Sequence, residues 1–344
     1  MSMKAICSIA LSALISGGAL LGAGASRALA DEKDFYNGKT VTIIVSTKSG
    51  GGYDAYGRLL SKSLPKYLPG STVIVKNVPG AGHIIGCNEI YRSKPDGLTL
   101  GVFNKGLITS QLVEMDGIKF DLRKMSWLGS PATEGRLLVM TTKKPYKTVA
   151  DLQNATEEII LCSAGMGSES HNDAVMISEI LGISKKVKIV PGYAGTEGEM
   201  GIMRGEIHGA IGSIDSMRTI IKNGDARGIV VISNEKSEEY PDLPLIGDYA
   251  KGEKIKAMCD LMTAEAIVTR PFAAPPGVPP ERLKVLRDAY DAAWKDPETI
   301  ELAKKMGMSL KPQSAEAVSK QVLAAFNQTP EMIDFLKKAV KSAE

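Results

Sequence analysis

Residues 41–54 read VTIIVSTKSGGGYD, and no other stretch limits the possible folds as much. Val41, Thr42, Ile43, Ile44 and Val45 form a β-branched run of the kind a buried strand uses. Gly50, Gly51 and Gly52 then allow backbone conformations that side chains forbid, and AYGRLLSKSL follows with Ala55, Leu59 and Leu60 on one helical face. Asp54 stands where a first-turn carboxylate or N-cap belongs. A strand that runs through a glycine loop into a helix presents unpaired N–H groups at the positive end of a dipole. That is a cradle for a carboxylate or a phosphate.

The pattern recurs. Residues 72–75 (TVIV) predict a second strand, and NVPGAGH at 77–83 a second glycine turn before a helix over 84–93. KPDG at 94–97 turns the chain into a third strand over 98–103, and its end, Asn104-Lys105-Gly106, opens a helix over 107–113. Strand and helix alternating at this spacing predict a parallel, doubly wound α/β sheet whose loops face one crevice. After strands at 127–130 and 136–140 the theme repeats with other residues. A capped helix starts at Thr148, and a strand over 158–162 ends in SAGMGS at 163–168 before a helix over 170–181. A strand over 187–190 ends in PGYAGT at 191–196 before a helix over 197–204. The serine- and glycine-rich loop ending at Ser168 is a further candidate anion cradle.

A short apolar run at 209–215, a helix over 216–223 and a return strand over 229–232 come next. A proline- and charge-rich loop over 235–253 then leads to a strand over 266–269. PPGVPP at 275–280 precedes helices, in which Leu283, Leu286, Tyr290 and Trp294 recur at helical spacing, so Trp294 is expected in the core. Residues 299–306, 315–328 and 331–343 read as amphipathic surface helices.

Residues 1–30 carry Lys4, an apolar small-residue run and Ala28-Leu29-Ala30 ahead of a charged segment, the form of a secretory signal peptide cut between Ala30 and Asp31. Losing them removes Lys4 and Arg27 and no acid, taking the formal charge from +3 to +1. The 344 residues less 30 leave 314, enough for two α/β domains. A nearly neutral chain without a basic tract gives nucleic acid no footprint. Cys87, Cys162 and Cys259 are too few for a disulfide framework and wrongly spaced for zinc; they read as small buried residues, with one disulfide open in an oxidising compartment. No metal or cofactor is expected.

Enzyme readings find little. Gly80-x-Gly82-x-x-x-Gly86 follows a strand, but the next strand ends in Val102-Phe103-Asn104, with no acid for a ribose. Gly50-Gly51-Gly52 leads to Tyr53-Asp54 and not to a Walker lysine. His83, His171 and His208 have no evident nucleophile in sequence and no metal-ligand spacing.

Five motifs in register carry a likeness. Ser49-Gly50-Gly51-x-x-Asp54-x-x-x-Arg58, Asn77-x-Pro79-Gly80-Ala81-Gly82, Lys94-Pro95-Asp96-Gly97-x-Thr99-Leu100, Pro191-x-Tyr193-x-Gly195 and Ala274-Pro275-x-Gly277-x-Pro279 span nearly the whole mature chain. In this order they resemble the periplasmic receptors of tripartite tricarboxylate transporters, often called Bug receptors. The resemblance implies a type II periplasmic binding protein fold, two doubly wound α/β lobes joined by crossing hinge strands. It sets the lobes at 31–137, 138–235 and, returning to the first, 236–344. It also implies a small organic acid in the cleft, its carboxylate on first-lobe amides, and delivery to the membrane subunits of such a transporter by a protein expected to be a monomer in the periplasm.

By the same resemblance Ser168, Ser170, Tyr193, Gly195 and Asp215 close over the ligand from the second lobe, opposite Ser49, Gly50, Gly51, Gly52, Asp54, Ala81, Gly82 and Asn104. The chain departs from the family pattern beside the glycines, where Ser46-Thr47-Lys48-Ser49 stands in place of Pro-Phe-Pro-Ala, Tyr53 in place of threonine, and His83 in place of a glycine. Thr47, Lys48, Tyr53 and His83 are therefore expected in the pocket, with Lys48, Tyr53 and His83 suiting a ligand with a second polar or anionic group. A periplasmic input protein for a sensor kinase would have the same fold and pocket, and a secreted α/β enzyme is the more distant alternative.

Overall fold

The computed structural model describes residues 32, 34–133, 135–267 and 269–342, so the expected signal peptide lies outside the described residues. The stretch that opened the sequence forms strand β1 (Thr40–Val45) and helix α1 (Gly52–Ser63). β2 (Thr72–Asn77) and β3 (Thr99–Val102) flank β1 in parallel register, which explains its β-branched, two-face-buried sequence. Gly57 of α1 is a close-approach residue, since a Cβ there would stand 2.9 Å from Val45 Cγ2. Helices α2 (Ile84–Tyr91) and α3 (Leu107–Leu112) follow β2 and β3. β4 (Ser126–Ser130) completes this part of the first sheet.

The chain then enters a second sheet. β5 (Arg136–Thr141) is followed by α4 (Val149–Gln153), β6 (Ile159–Cys162), α5 (Glu169–Ile180), β7 (Val187–Val190), α6 (Glu197–Arg204), β8 (Gly209–Ser213), α7 (Ile214–Lys222) and β9 (Ala226–Ile232). Strand order is β7-β6-β8-β5-β9 in a five-stranded sheet, with β5 antiparallel to both neighbours. All six residues of β5, Arg136 and Leu137 included, pair within this sheet.

The return differs from the sequence reading. Residues 266–269, expected as a strand, belong up to Ile267 to helix α8 (Glu253–Ile267), and Thr269 makes only an isolated antiparallel bridge to Ala132. The strand that rejoins the first sheet is β10 (Phe272–Ala274), inserted antiparallel between β3 and β4. Helices α9 (Pro280–Lys295) and α10 (Pro297–Lys305), strand β11 (Gln313–Ser314), and helices α11 (Ala315–Ala325) and α12 (Pro330–Ser342) complete the chain. The first sheet is thus six-stranded, in the order β11-β4-β10-β3-β1-β2. The Ala132–Thr269 bridge ties the outgoing crossing to the returning one.

One apolar cluster runs beneath both sheets, joining Ile44, Phe103 and Leu107 to Leu138, Met140 and Ile211, with Met258, Val322 and Leu336 from α8, α11 and α12. The C-terminal helices therefore contribute to the core as well as to the surface. A second cluster gathers Trp294, Tyr290 and Phe272 on the first sheet, and Trp294 is buried as expected. Cys87, Cys162 and Cys259 are buried free thiols.

Candidate ligand-binding cleft

A cavity of about 330 Å³ opens between the strand ends of the two sheets. From the first sheet Thr47, Gly50, Gly51, Gly52, Tyr53, His83 and Asn104 line it; from the second, Ser170, Tyr193, Gly195 and Asp215 do. The first turns of α1, α5, α6 and α7 converge here because each follows a strand that ends at the same edge of its sheet. Their orphan N–H groups give the cavity a positive electrostatic bias.

The amides of this rim are not equivalent. Gly50 N–H donates to Asp54 Oδ2 at 2.9 Å, so it is already occupied by the protein's own carboxylate. The N–H groups of Gly51, the N-cap of α1, and of Gly52 and Tyr53 in its first turn have no acceptor among the described residues. Asp54 faces away from the cavity, buried against Arg58 Nε at 2.8 Å and Asn77 Nδ2 at 3.0 Å. Burial alone would raise its carboxyl, but these hydrogen bonds hold it below the usual range. Asp54 thus shapes the glycine loop rather than touching its contents.

Other expected residues also lie off the cavity. Lys48 has a half-exposed side chain and bridges to Glu197 at 2.9 Å, because the stretch that carries it runs along the outer mouth. Ser49 is exposed beside it, its carbonyl facing Gly195. Ala81 is exposed with φ 45°, and Gly82, φ 58°, lies so close to Met166, Gly167 and Ser168 that a side chain there would meet their backbone. These residues form a seam between the sheets. Ser168 is wholly buried as the N-cap of α5, accepting from His171 N–H at 3.3 Å.

The sequence reading missed a buried ionic cluster. Arg136, the first residue of β5, pairs with Glu169 and lies 2.6 Å from Asp173 Oδ2, while Lys105 Nζ is 3.2 Å from Glu169 Oε1. Tyr53 O–H donates to Glu169, and Glu169 N–H donates to Asn104 Oδ1 at 3.1 Å. Burial works to raise the Glu169 carboxyl, but Arg136 and Lys105 outweigh it and hold it down near about 2. Asp173, deeper and sharing the same Arg136, is instead pushed up by burial. Burial pushes the His83 imidazole below its ordinary pKa, against the opposing pull of Ser46 O, 2.8 Å from its Nδ1. The lysine and arginine of this cluster are thus spent on the protein's own acids.

Arg270, also missed, enters from the returning crossing with φ 55°. Its guanidinium stacks 4.5 Å from the Tyr56 ring centroid and donates to Ser213 Oγ at 2.7 Å. A Cβ on Gly52 would stand 2.8 Å from its Nη2, which explains a glycine at that position. Across the cavity Asp215 accepts from Ser309 N–H at 2.6 Å, Ser309 Oγ at 2.8 Å and Arg218 Nη2 at 2.8 Å. Signals for this charge network were present in the sequence: an arginine heading the otherwise apolar run RLLVM, and acids one helical turn apart at 169 and 173.

The two jaws touch. Lys48 meets Glu197, Asn172 Nδ2 donates to Gly106 O at 2.9 Å, and a Cβ on Gly51 would lie 3.0 Å from Gly195 Cα. Among the described residues no helix is long and apolar enough to cross a membrane, and no cluster of His, Cys, Asp and Glu suits a metal ion.

Known proteins of the same architecture share this arrangement of sheets. The structure of the periplasmic binding protein BugD superposes with a TM-score of 0.71 at 22% identity, over 88% of this chain and 98% of that one. MatC of Rhodopseudomonas palustris, solved with bound malate, superposes at 0.68 and 18% identity, over 88% of this chain and 99% of that one. A UPF0065 protein from the TAR-I ttuE-ttuC' intergenic region of Agrobacterium vitis is 27% identical over 285 residues, 81% of this chain and 78% of that protein. The fold is that of the two-lobed periplasmic binding proteins. The model of the tripartite tricarboxylate transporter family receptor matches residues 57–337, most of the chain, and the protein belongs to that family.

Proposed function

We propose that the protein is a periplasmic solute receptor that holds a small carboxylic acid between its two sheets and passes it to the membrane subunits of a tripartite tricarboxylate-type transporter. This reading is supported by Gly51, Gly52 and Tyr53, which line the cavity at the start of α1 with N–H groups that have no acceptor among the described residues, while Lys105 and Arg136 of the same cavity are committed to the protein's own acids. A carboxylate accepts from such donors in charge-assisted hydrogen bonds, stronger than neutral ones. A cavity of about 330 Å³ suits a small organic acid and excludes a large one. The related MatC holds malate, an acid of that size class. Export through residues 1–30 and release into the periplasm fit the same role.

Binding without chemistry is the mechanism. The acid docks on the α1 amides, the second jaw closes, and contacts made only in the closed form shift the population toward it. A thermal-shift screen of mono-, di- and tricarboxylic acids on the chain from Asp31 onward tests this. An acid at about one hundred times its Kd adds roughly 2.7 kcal/mol to apparent stability and raises Tm. A screen in which no carboxylic acid moves Tm or gives heat on titration refutes the reading.

A further inference from the structure

Most charged groups on the cavity wall have partners. Lys105, Arg136 and Glu169 satisfy one another, Asp215 is held by Ser309 and Arg218, and Arg270 is engaged with Ser213. Glu199 stands apart. It lies in the first turn of α6, lines the cavity, is part-buried, and has neither a hydrogen bond nor an ion pair among the described residues. A second orphan shares its wall. Ser163, 1% exposed at the end of β6, lines the same cavity with its Oγ unpartnered. The end of β6 and the first turn of α6 are in contact, since a Cβ on Gly198 would lie 3.0 Å from Cys162 Sγ.

Leaving a carboxyl and a hydroxyl part-desolvated without partners costs free energy that a bound molecule would recover. We infer that Glu199 is the specificity-determining residue of the cleft, accepting a hydrogen bond from an ammonium or hydroxyl that the ligand carries in addition to its carboxylate. The inference rests on the receptor reading and deepens it. The acid's carboxylate occupies the α1 amides, and the donor end meets the second jaw at Glu199 and Ser163. Charge agrees with this. Any acid in the cleft brings a carboxylate into a cavity that already holds an unpaired acid, and only one that also carries a hydrogen-bond donor offers Glu199 a counterpart. Burial alone lifts the Glu199 carboxyl to about 7, as expected of an acid with no cation beside it.

Three acid skeletons, each as the unsubstituted, the 2-hydroxy and the 2-amino compound, test the proposal by calorimetric titration. Propionate, lactate and alanine form one set; succinate, malate and aspartate a second; glutarate, 2-hydroxyglutarate and glutamate a third. Wild-type protein is expected to favour a donor-bearing member of at least one set by about tenfold or more over its unsubstituted parent, a difference of about 1.4 kcal/mol. Glu199→Ala should abolish that preference, with Tm of the free protein unchanged or raised. Glu199→Gln separates the two donors: an ammonium preference is lost, while a hydroxyl preference survives in part because the amide oxygen still accepts. A wild type that binds acids without donor preference, or a preference that outlives Glu199→Ala, overturns the inference and leaves the receptor reading standing. Wild type that binds none of the nine acids counts against both.

Discussion

Glycine at position 51 is constrained from the opposite jaw. A side chain there would press on Gly195, 3.0 Å from its Cα, so a β-branched residue blocks closure without disturbing the core beneath. Gly51→Val is expected to weaken acid binding by at least about tenfold, read by titration, while Tm stays within a few degrees of wild type. Retained affinity would remove the glycine loop from the site. Gly52 carries a different constraint, because its Cβ would meet the Arg270 guanidinium at 2.8 Å. The glycine triplet was legible as a strand-to-helix turn because glycine, strand and helix start are local signals. Asp54 was visible as a first-turn acid, but its orientation away from the cavity depends on Arg58 and Asn77, and the second of these lies on another strand. Lys48 looked like a pocket cation and is a mouth residue for the same reason: which way a loop side chain turns is decided by the jaw that meets it.

Helix α5 shows what periodicity conveys and what it conceals. Its start was readable from Ser168 and the glycines before it, and the acids at 169 and 173 were visible, but their partner Arg136 comes from a strand more than thirty residues earlier. Helix α8 was read wrongly at its end because Ala266-Ile267-Val268-Thr269 is a short apolar, β-branched run, which periodicity alone does not tell from a strand, while α8 packs against α5, α11 and α12. The cluster at the head of α5 has a pH signature. Glu169 is held near about 2 in the folded protein against an ordinary value of 4.5, so the unfolded chain binds more protons between those values. The stabilisation Glu169 contributes is therefore complete above about 4.5 and is lost as pH falls toward about 2; Asp173, whose carboxyl is raised, works in the opposite sense. Glu169→Gln should cost about 3 kcal/mol at neutral pH, since it strips the buried Lys105 of its counter-charge and leaves Arg136 with Asp173 alone, and the gap to wild type should close as pH falls toward 2. Urea denaturation at several pH values measures both; a gap that does not change with pH would contradict the assignment.

At the scale of the molecule, Lys48 and Glu197 face each other across the mouth at 2.9 Å, with half-exposed and part-exposed side chains. An exposed pair is worth about 1 kcal/mol or less to stability, so Lys48→Ala should leave the unfolding free energy nearly unchanged, whereas Glu197→Ala also takes away the acceptor of Ala194 N–H, 3.0 Å away, at the start of α6. Both should instead loosen closure. Either substitution is expected to speed ligand release several-fold and to abolish much of its salt dependence, as stopped-flow measurements at two ionic strengths would register. Identical release rates in variant and wild type would show that the pair has no part in closing the cleft.

The apolar cluster beneath both sheets bears on how far the jaws can part. Ile44 and Phe103 on one side share a single oily mass with Leu138 and Ile211 on the other, and the C-terminal helices α11 and α12 are sealed into it. Pulling the halves apart at the back would wet that mass, at roughly 25 cal/mol for every Å² exposed, whereas gaping at the front breaks polar ties, the buried Lys105–Glu169 pair and the Tyr53–Glu169 hydrogen bond among them. The molecule is accordingly a hinged purse and not a pair of tongs: its bottom stays sewn, its lips travel a short way, and only a guest small enough to slip through that narrow opening can reach the amides within.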